Sequence, residues 1–169
     1  MLPNHATSME ELERRIEQCI DNGYNMVFCL IDIDNEKDGR NRDNYLKLKT
    51  KHHQKTITRK CQGTESMIRF FESEHCLEVW FLYHFKYTTQ QFNSSNELAK
   101  EMERVCKYEK TEDFLGRKCK GLHNFLLANG GDFVRAVANA EKSMLSKNRE
   151  SREHTYSEMA DFFHEVIRK

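Results

Sequence analysis

A run of six apolar residues, Met26–Ile31, is the feature that most limits how this chain can fold. The run leads into Asp32-Ile33-Asp34, so both faces of the predicted strand are apolar until its last residues. A strand that is apolar on both faces is typical of the interior of a parallel sheet, with helices packed on either side. The run therefore predicts an α/β fold with a central strand over about residues 25–33.

The rest of the pattern predicts a small sheet followed by helices. A basic helix over 45–60 precedes a second strand over about 66–72, and strand, helix and strand in this order form a right-handed crossover. This arrangement gives a partial parallel sheet with helices on both faces and a helical C-terminal half. Further helices are predicted from Met9 to a stop at Gly23 and over 76–87, 95–108, 117–128, 132–146 and 157–168. The capping pairs that mark helix starts are Ser8/Glu11, Ser94/Glu97 and Thr155/Glu158.

Composition excludes several classes of protein. The only proline is Pro3, and 27 basic residues balance 27 acidic ones, which excludes proline-rich and charge-driven disordered chains. The apolar runs are far shorter than the ~18 residues of a membrane helix, and the N-terminus lacks an apolar signal segment. Six singly scattered cysteines indicate free thiols. We therefore predict a single cytoplasmic domain over residues 1–169, with no membrane association.

Asp32 and Asp34 are the strongest candidates for chemistry. Residues two apart on a strand point to the same face, and open α/β sheets bind ligands at the carboxyl ends of their strands. Two carboxylates on one face repel each other and favour a hard cation, Mg²⁺ or Mn²⁺. The structural alternative is a strand-ending aspartate followed by an Asx turn at Asn35.

Two glutamates, Glu74 and Glu78, follow the second strand and stand four residues apart at the start of an aromatic helix. Because the two strands are neighbours, we expect these carboxylates beside the aspartate pair. The alternative is that they are ordinary acids of a first helical turn, where they offset the helix dipole. Glu78 stands between Leu77 and Trp80, so we expect it to be partly buried and to need a partner. His84 is interpreted as a core histidine.

A basic stretch separates the two predicted strands. From residue 36 to residue 62 there are nine Lys or Arg residues and three acids. Such a segment can bind phosphates of DNA or RNA without reading their sequence. A solvated helix face is the alternative interpretation. The candidate nucleic-acid-binding residues are Lys47, Lys49, Lys51 and Lys55.

Two predicted strands are few for a parallel sheet, because a typical sheet has about five or six. Either the missing strands lie in another subunit of a homo-oligomer, or the chain begins partway through its domain.

Taken in order along the chain, these residues resemble the RloB-like family, restriction-linked bacterial proteins with a Toprim-type nuclease fold. The resemblance rests on the strand that ends in Asp32-Ile33-Asp34 and on the stretch from Ser73 through Glu78 and Trp80 to His84-Phe85. Ala136-Val-Ala-Asn139-Ala140 and a C-terminal helix led by Thr155 also fit. The resemblance implies Mg²⁺-dependent phosphodiester cleavage in defence against phage. It also implies a partner ATPase of the overcoming-lysogenization-defect (OLD) or abortive-infection type.

The chain departs from the family's pattern at two places. Glu74 and His75 stand where members usually have Asn-Pro, and Leu77 replaces a common Phe. The pattern also places a strand and a catalytic glutamate before the first helix, and the helix predicted from Met9 leaves no room for them. We therefore expect an N-terminally incomplete Toprim-like domain.

Two functional hypotheses follow from the resemblance and its departures. The first is a metal-dependent nuclease in which Asp32 and Asp34 hold the metal and Glu78 or Glu74 orients a ligand or water. The second is a catalytically inactive module that docks on an ATPase or on nucleic acid.

Overall fold

The computed structural model describes residues 8–33, 39–59, 63–150 and 154–167. Asp34, the predicted partner of Asp32, lies outside these ranges. The strands are β1 (Met26–Ile33), β2 (Thr56–Arg59) and β3 (Thr64–Glu74). The helices are α1 (Met9–Asp21), α2 (Gly39–His52), α3 (Glu78–Tyr83), α4 (Ser95–Cys106), α5 (Leu122–Ala128), α6 (Phe133–Glu150) and α7 (Met159–Ile167), with a π-helix at Phe114–Lys118.

The three strands form one mixed sheet in the order β1-β3-β2. The amides of Met67 and His75 donate to the carbonyls of Asn25 and Ile33 at 2.8 and 2.9 Å. Both bonds join residues the same distance apart in sequence, so β1 and β3 run parallel. β2 pairs antiparallel with β3, in a register that runs from Thr56↔Met67 to Arg59↔Thr64. The predicted α/β class and parallel strand pair are confirmed, and β2 is an element that the sequence analysis missed.

The prediction that residues 25–33 form the central strand is wrong for the described sheet, because β3 lies between β1 and β2. At its C-terminal end β3 gains a further antiparallel neighbour through the Ser73↔Ser157 bridge. β1 lies at the edge of the described strands, and 46% of the Leu30 surface is exposed. An apolar pattern on both faces reports what covers those faces, and it does not report which strands lie alongside.

Two adjacent aromatic residues of β3, Phe70 and Phe71, each pack against a helix. The Phe70 ring contacts Tyr45 of α2 in an edge-to-face geometry, at 6.1 Å between centroids. Successive residues of a strand point to opposite faces, so Phe71 faces the other way. Its ring contacts Phe162 of α7 at 5.5 Å.

The described chain forms two compact units. The first comprises the described parts of residues 1–30 and 37–70, in which α1 packs on α2. The second comprises those of residues 31–36 and 71–169, in which α3 packs against α4 and α6. All six residues of α3 are buried, so this short helix forms the centre of the second unit's core. A single domain over residues 1–169 stays a prediction.

Two of the three predicted capping pairs are confirmed. The hydroxyls of Ser8 and Ser94 accept hydrogen bonds from the amides three residues on, at 3.2 and 3.3 Å. The third is wrong because the Thr155 hydroxyl instead accepts from the amide of Phe92 at 2.9 Å. α7 consequently begins at Met159, whose amide bonds to the Ser157 hydroxyl.

The other helix predictions differ mainly in their ends. The predicted basic helix over 45–60 is α2 followed by β2, with Gln54 between them in the left-handed conformation at φ 58°. The predicted helix over 117–128 divides into the π-helix and α5, which are separated by residues 119–121, with Gly121 at φ 100°.

Candidate functional site

Asp32 lies near the carboxyl end of β1, and its side chain is exposed. This is the end of a parallel strand pair at which α/β sheets commonly bind ligands. The structure therefore places Asp32 where the sequence predicted it. The pairing of Asp32 with Asp34 lies outside the described residues and stays a prediction.

The register of the parallel pair decides which residues of β3 lie beside Asp32. Because the His75 amide bonds to the Ile33 carbonyl, Ile33 lies beside Glu74 and Asp32 lies beside Ser73. Neighbouring residues of paired strands share a face, so Glu74 points away from the face of Asp32. The backbone of Glu74 is fixed on its other side, where its amide donates to the Tyr156 carbonyl at 2.8 Å. The structure therefore does not bring the Glu74 and Asp32 side chains together.

Glu78 is buried at the start of α3, with 6% of its side chain exposed. Its Oε1 atom accepts a hydrogen bond from the Tyr108 hydroxyl at 3.0 Å and lies 3.0 Å from the Lys110 Nζ atom. Burial alone would raise the pKa of Glu78, but hydrogen bonds from Cys76 and Lys110 and the lysine's charge hold it below its ordinary value. Glu78 is thus a buried carboxylate with partners, as expected from its position in the sequence.

Lys110 is paired with Glu78 and also interacts electrostatically with Asp32. It lies in the segment between α4 and the π-helix, and 42% of its side chain is exposed. Burial alone would lower the pKa of Lys110, but the Glu78 carboxylate raises it above its ordinary value. The Asp32 carboxylate acts on the pKa of Lys110 in the same direction. Asp32 and Glu78 therefore act on one lysine that the sequence analysis did not single out.

The neighbours of Lys110 carry no recognisable motif. Tyr108 and Lys110 follow α4 at a spacing that matches no binding signature, and they reach Glu78 from about thirty residues away. Cys76 is buried beside Glu78, and burial followed by the Glu78 charge raises the pKa of its thiol to about 12. Cys76 is therefore a neutral thiol at physiological pH, and it does not act as a nucleophile.

The four candidate lysines of the basic stretch belong to the first unit. Lys47 is exposed on α2. Lys51 forms an ion pair with Glu13 of α1 and lies 3.9 Å from Glu17. The Nζ atom of Lys55 donates to the Thr50 carbonyl at 2.6 Å. The fourth, Lys49, is half-buried. Part of the predicted positive charge is therefore neutralised within the unit.

Two histidines near the candidate glutamates are buried. His84 packs edge-on against Trp80 and Phe133, and burial lowers its pKa to about 4, so it is the neutral core histidine that the sequence predicted. His75 adopts a left-handed backbone at φ 59°, directly after β3. Its Nδ1 atom has no hydrogen-bond partner within the described ranges.

The described part of the chain does not contain a complete set of metal ligands. No group of three or more His, Cys, Asp or Glu residues there could hold a metal ion. The cysteines that the structure describes are free, as predicted. None of the described helices has the length and apolar character needed to span a membrane.

Comparison with known proteins identifies the family. The family of RloB-like proteins matches residues 3–166, which is nearly the whole chain. No curated protein and no solved structure matches the chain. A match of this extent confirms the resemblance seen in the strand ending at Asp32 and in the Ser73–Trp80 stretch. The chain belongs to the RloB-like protein family.

Proposed function

We propose that this chain is the nuclease-type component of a bacterial phage-defence or restriction-linked system, with a metal-dependent phosphodiester site at the carboxyl end of β1. The arrangement of charges there carries the proposal. Asp32 is an exposed carboxylate at a strand end, and it acts on Lys110, a lysine paired with buried Glu78. A carboxylate that can bind a cation, and that interacts electrostatically with a lysine that can bind phosphate, suits a phosphodiester substrate.

The proposed cation is Mg²⁺ or Mn²⁺, held by Asp32 together with Asp34. When bound, such an ion stabilises negative charge on the phosphate and lowers the pKa of a coordinated water. The described residues supply only Asp32 at this edge, because Glu78 is engaged with Lys110 and Tyr108. Two carboxylates with water as the remaining ligands predict weak affinity, on the order of millimolar. The family resemblance also supports an ATPase of the OLD or abortive-infection type as the proposed partner.

Metal binding at Asp32 gives the first test. With about 10 mM Mg²⁺ or Mn²⁺, the melting temperature of the wild-type chain should rise by a few degrees, because a ligand of the folded state stabilises it. The Asp32→Asn variant should lose this response, and any metal-dependent nicking of supercoiled plasmid should fall to background. Differential scanning fluorimetry and agarose gels measure the two effects.

The matched control is Asp161→Asn, which removes an exposed carboxylate from α7 of the same unit and should keep the metal response. Equal metal-induced shifts in Asp32→Asn and wild type would exclude Asp32 as a metal ligand.

A binding module without catalysis is the second candidate, and the positions of the glutamates favour it. Glu78 is occupied by its ion pair, and Glu74 points away from Asp32. Phosphodiester cleavage also needs a group that orients or deprotonates the nucleophile. We therefore expect cleavage by this chain alone to be barely above background. Binding of nucleic acid without cleavage in either metal would favour the second candidate.

The lysines of α2 provide a separate test of nucleic-acid binding. Lys47→Gln should weaken binding of a DNA or RNA oligonucleotide and reduce the slope of its salt dependence by about 1, as loss of one phosphate contact does. Lys100→Gln, at an exposed lysine on α4 in the second unit, is the matched control. Fluorescence anisotropy over a salt series measures both variants. An unchanged slope in Lys47→Gln would show that Lys47 on α2 does not contact a phosphate of the nucleic acid.

A further inference from the structure

The structure assigns to Lys110 the binding of a nucleic-acid phosphate in this site, and to Glu78 the positioning of that lysine. This inference rests on the proposed function and adds the residue that contacts the substrate's phosphate. It also changes the expected role of Glu78. The sequence predicted that Glu78 orients a ligand or water, whereas its carboxylate is paired with Lys110 and orients that lysine.

Within the described ranges, Lys110 is held in place by its ion pair with Glu78. Its Nζ atom lies 3.0 Å from the Glu78 Oε1 atom, and the Tyr108 hydroxyl donates to the same oxygen at 3.0 Å. The carboxylate is almost fully enclosed, whereas 42% of the lysine side chain is exposed. An ammonium group has three donors, and its exposed side can offer donors to an anion from solvent.

Stability alone gives little reason for this arrangement. Burial of a carboxylate carries a desolvation cost that its ion pair with a lysine often fails to exceed, so apolar residues of similar size can be as stable. Cys76 and Tyr108 add further polar groups around the same carboxylate. A buried carboxylate that holds a half-exposed lysine in place is, in contrast, what a binding site requires.

The charges around Lys110 also predict the order of binding. Asp32, Glu78 and Lys110 carry two negative charges and one positive charge, so the described group has a net charge that repels phosphate. A divalent cation at Asp32 reverses this sign. Lys110 is an ammonium cation at neutral pH, as lysines ordinarily are, so it acts as a cation and not as a base. Binding of phosphate through Lys110 should therefore be strengthened by the metal.

The experiment measures binding of a labelled single-stranded DNA oligonucleotide to the full chain by fluorescence anisotropy, with and without Ca²⁺. Ca²⁺ is a hard cation with the same preference for oxygen ligands, and we use it to measure binding without turnover. The wild-type chain should bind more tightly with Ca²⁺. Lys110→Gln should weaken the Ca²⁺-dependent binding by about tenfold, the effect of losing one charge-assisted contact.

Variants of the pair separate charge from structure. Lys110→Arg should retain most of the binding, because a guanidinium group also binds phosphate. Lys100→Gln, at an exposed lysine on α4, is the matched control and should bind as wild type does. If Lys110→Gln fails to fold, the double variant Glu78→Gln/Lys110→Gln leaves no buried carboxylate unpaired and is measured in its place.

The outcomes distinguish this inference from the proposed function. If Ca²⁺ strengthens binding in the wild type but not in Asp32→Asn, and Lys110→Gln binds as wild type does, the metal site stands and the role of Lys110 is refuted. If Asp32→Asn responds to Ca²⁺ as wild type does, the proposed metal site itself is refuted. A loss in Lys110→Gln that Lys110→Arg restores supports the assignment.

Discussion

Replacement of Trp80 by alanine should lower the free energy of unfolding of the second unit by about 3–5 kcal/mol. Trp80 lies on α3 with 4% of its surface exposed. Its ring packs against those of His84, Phe133 and Phe163, with centroids 5.3, 6.0 and 5.3 Å away. Alanine would leave a cavity between α3, α6 and α7, which this short helix alone cannot close. Because Trp80 is the only tryptophan, urea unfolding followed by far-UV circular dichroism is the suitable measurement.

The control for this prediction is Leu127→Ala, at an exposed leucine on α5. Its effect should stay within about 0.5 kcal/mol, as for surface substitutions in general. Trp80→Phe should fall between the two, because it keeps an aromatic ring in the same site. Equal midpoints and slopes for Trp80→Ala and Leu127→Ala would show that α3 is not the centre of the core.

The aromatic stretch around Trp80 shows what the sequence could predict. A strand, a polar turn and an aromatic helix were expected between Phe70 and Phe85, and the structure has β3, a turn and α3 in that order. The spacing of apolar residues reports burial, so it located these elements. It did not locate the end of α3 at Tyr83, because Phe85 and Tyr87 continue the aromatic pattern although they are not helical.

β2 shows the opposite case. Its four residues, Thr56–Arg59, follow a basic helix with no glycine or proline between them, so the polar stretch was predicted as one helix. The actual break is Gln54 in a left-handed conformation, which is uncommon for residues other than glycine. Pairing with β3 stabilises β2, and a strand that depends on a partner is not visible in its own composition.

The candidate site was predictable only in part, for the same physical reason. The strand end identified Asp32, and the apolar neighbours of Glu78 indicated its burial. The side chain beside Asp32 depends on register, because a shift of one residue exchanges Glu74 for Ser73. Lys110 reaches Glu78 through tertiary packing of the segment after α4, and no spacing in the sequence encodes such a contact.

Replacement of His75 by proline should destabilise the second unit by about 3 kcal/mol or more. The residue has a φ of 59°, whereas proline is restricted to about −65°. Proline would also remove the amide that donates to the Ile33 carbonyl at 2.9 Å and joins the ends of β1 and β3. The family pattern usually has proline at this position, so the change tests whether this chain's turn depends on its own residue. Thermal and urea unfolding measure the effect.

The control is His75→Gly, which keeps the amide and adopts a positive φ without strain. We expect its effect to be no more than about 1 kcal/mol, because relief of the left-handed backbone offsets part of the lost burial of the imidazole. Amide hydrogen exchange at position 75 should remain protected in His75→Gly, since the bond to Ile33 is kept. A His75→Pro variant that is as stable as wild type would show that the turn after β3 adopts another conformation, and that Asp32 is not fixed beside Ser73 by this hydrogen bond.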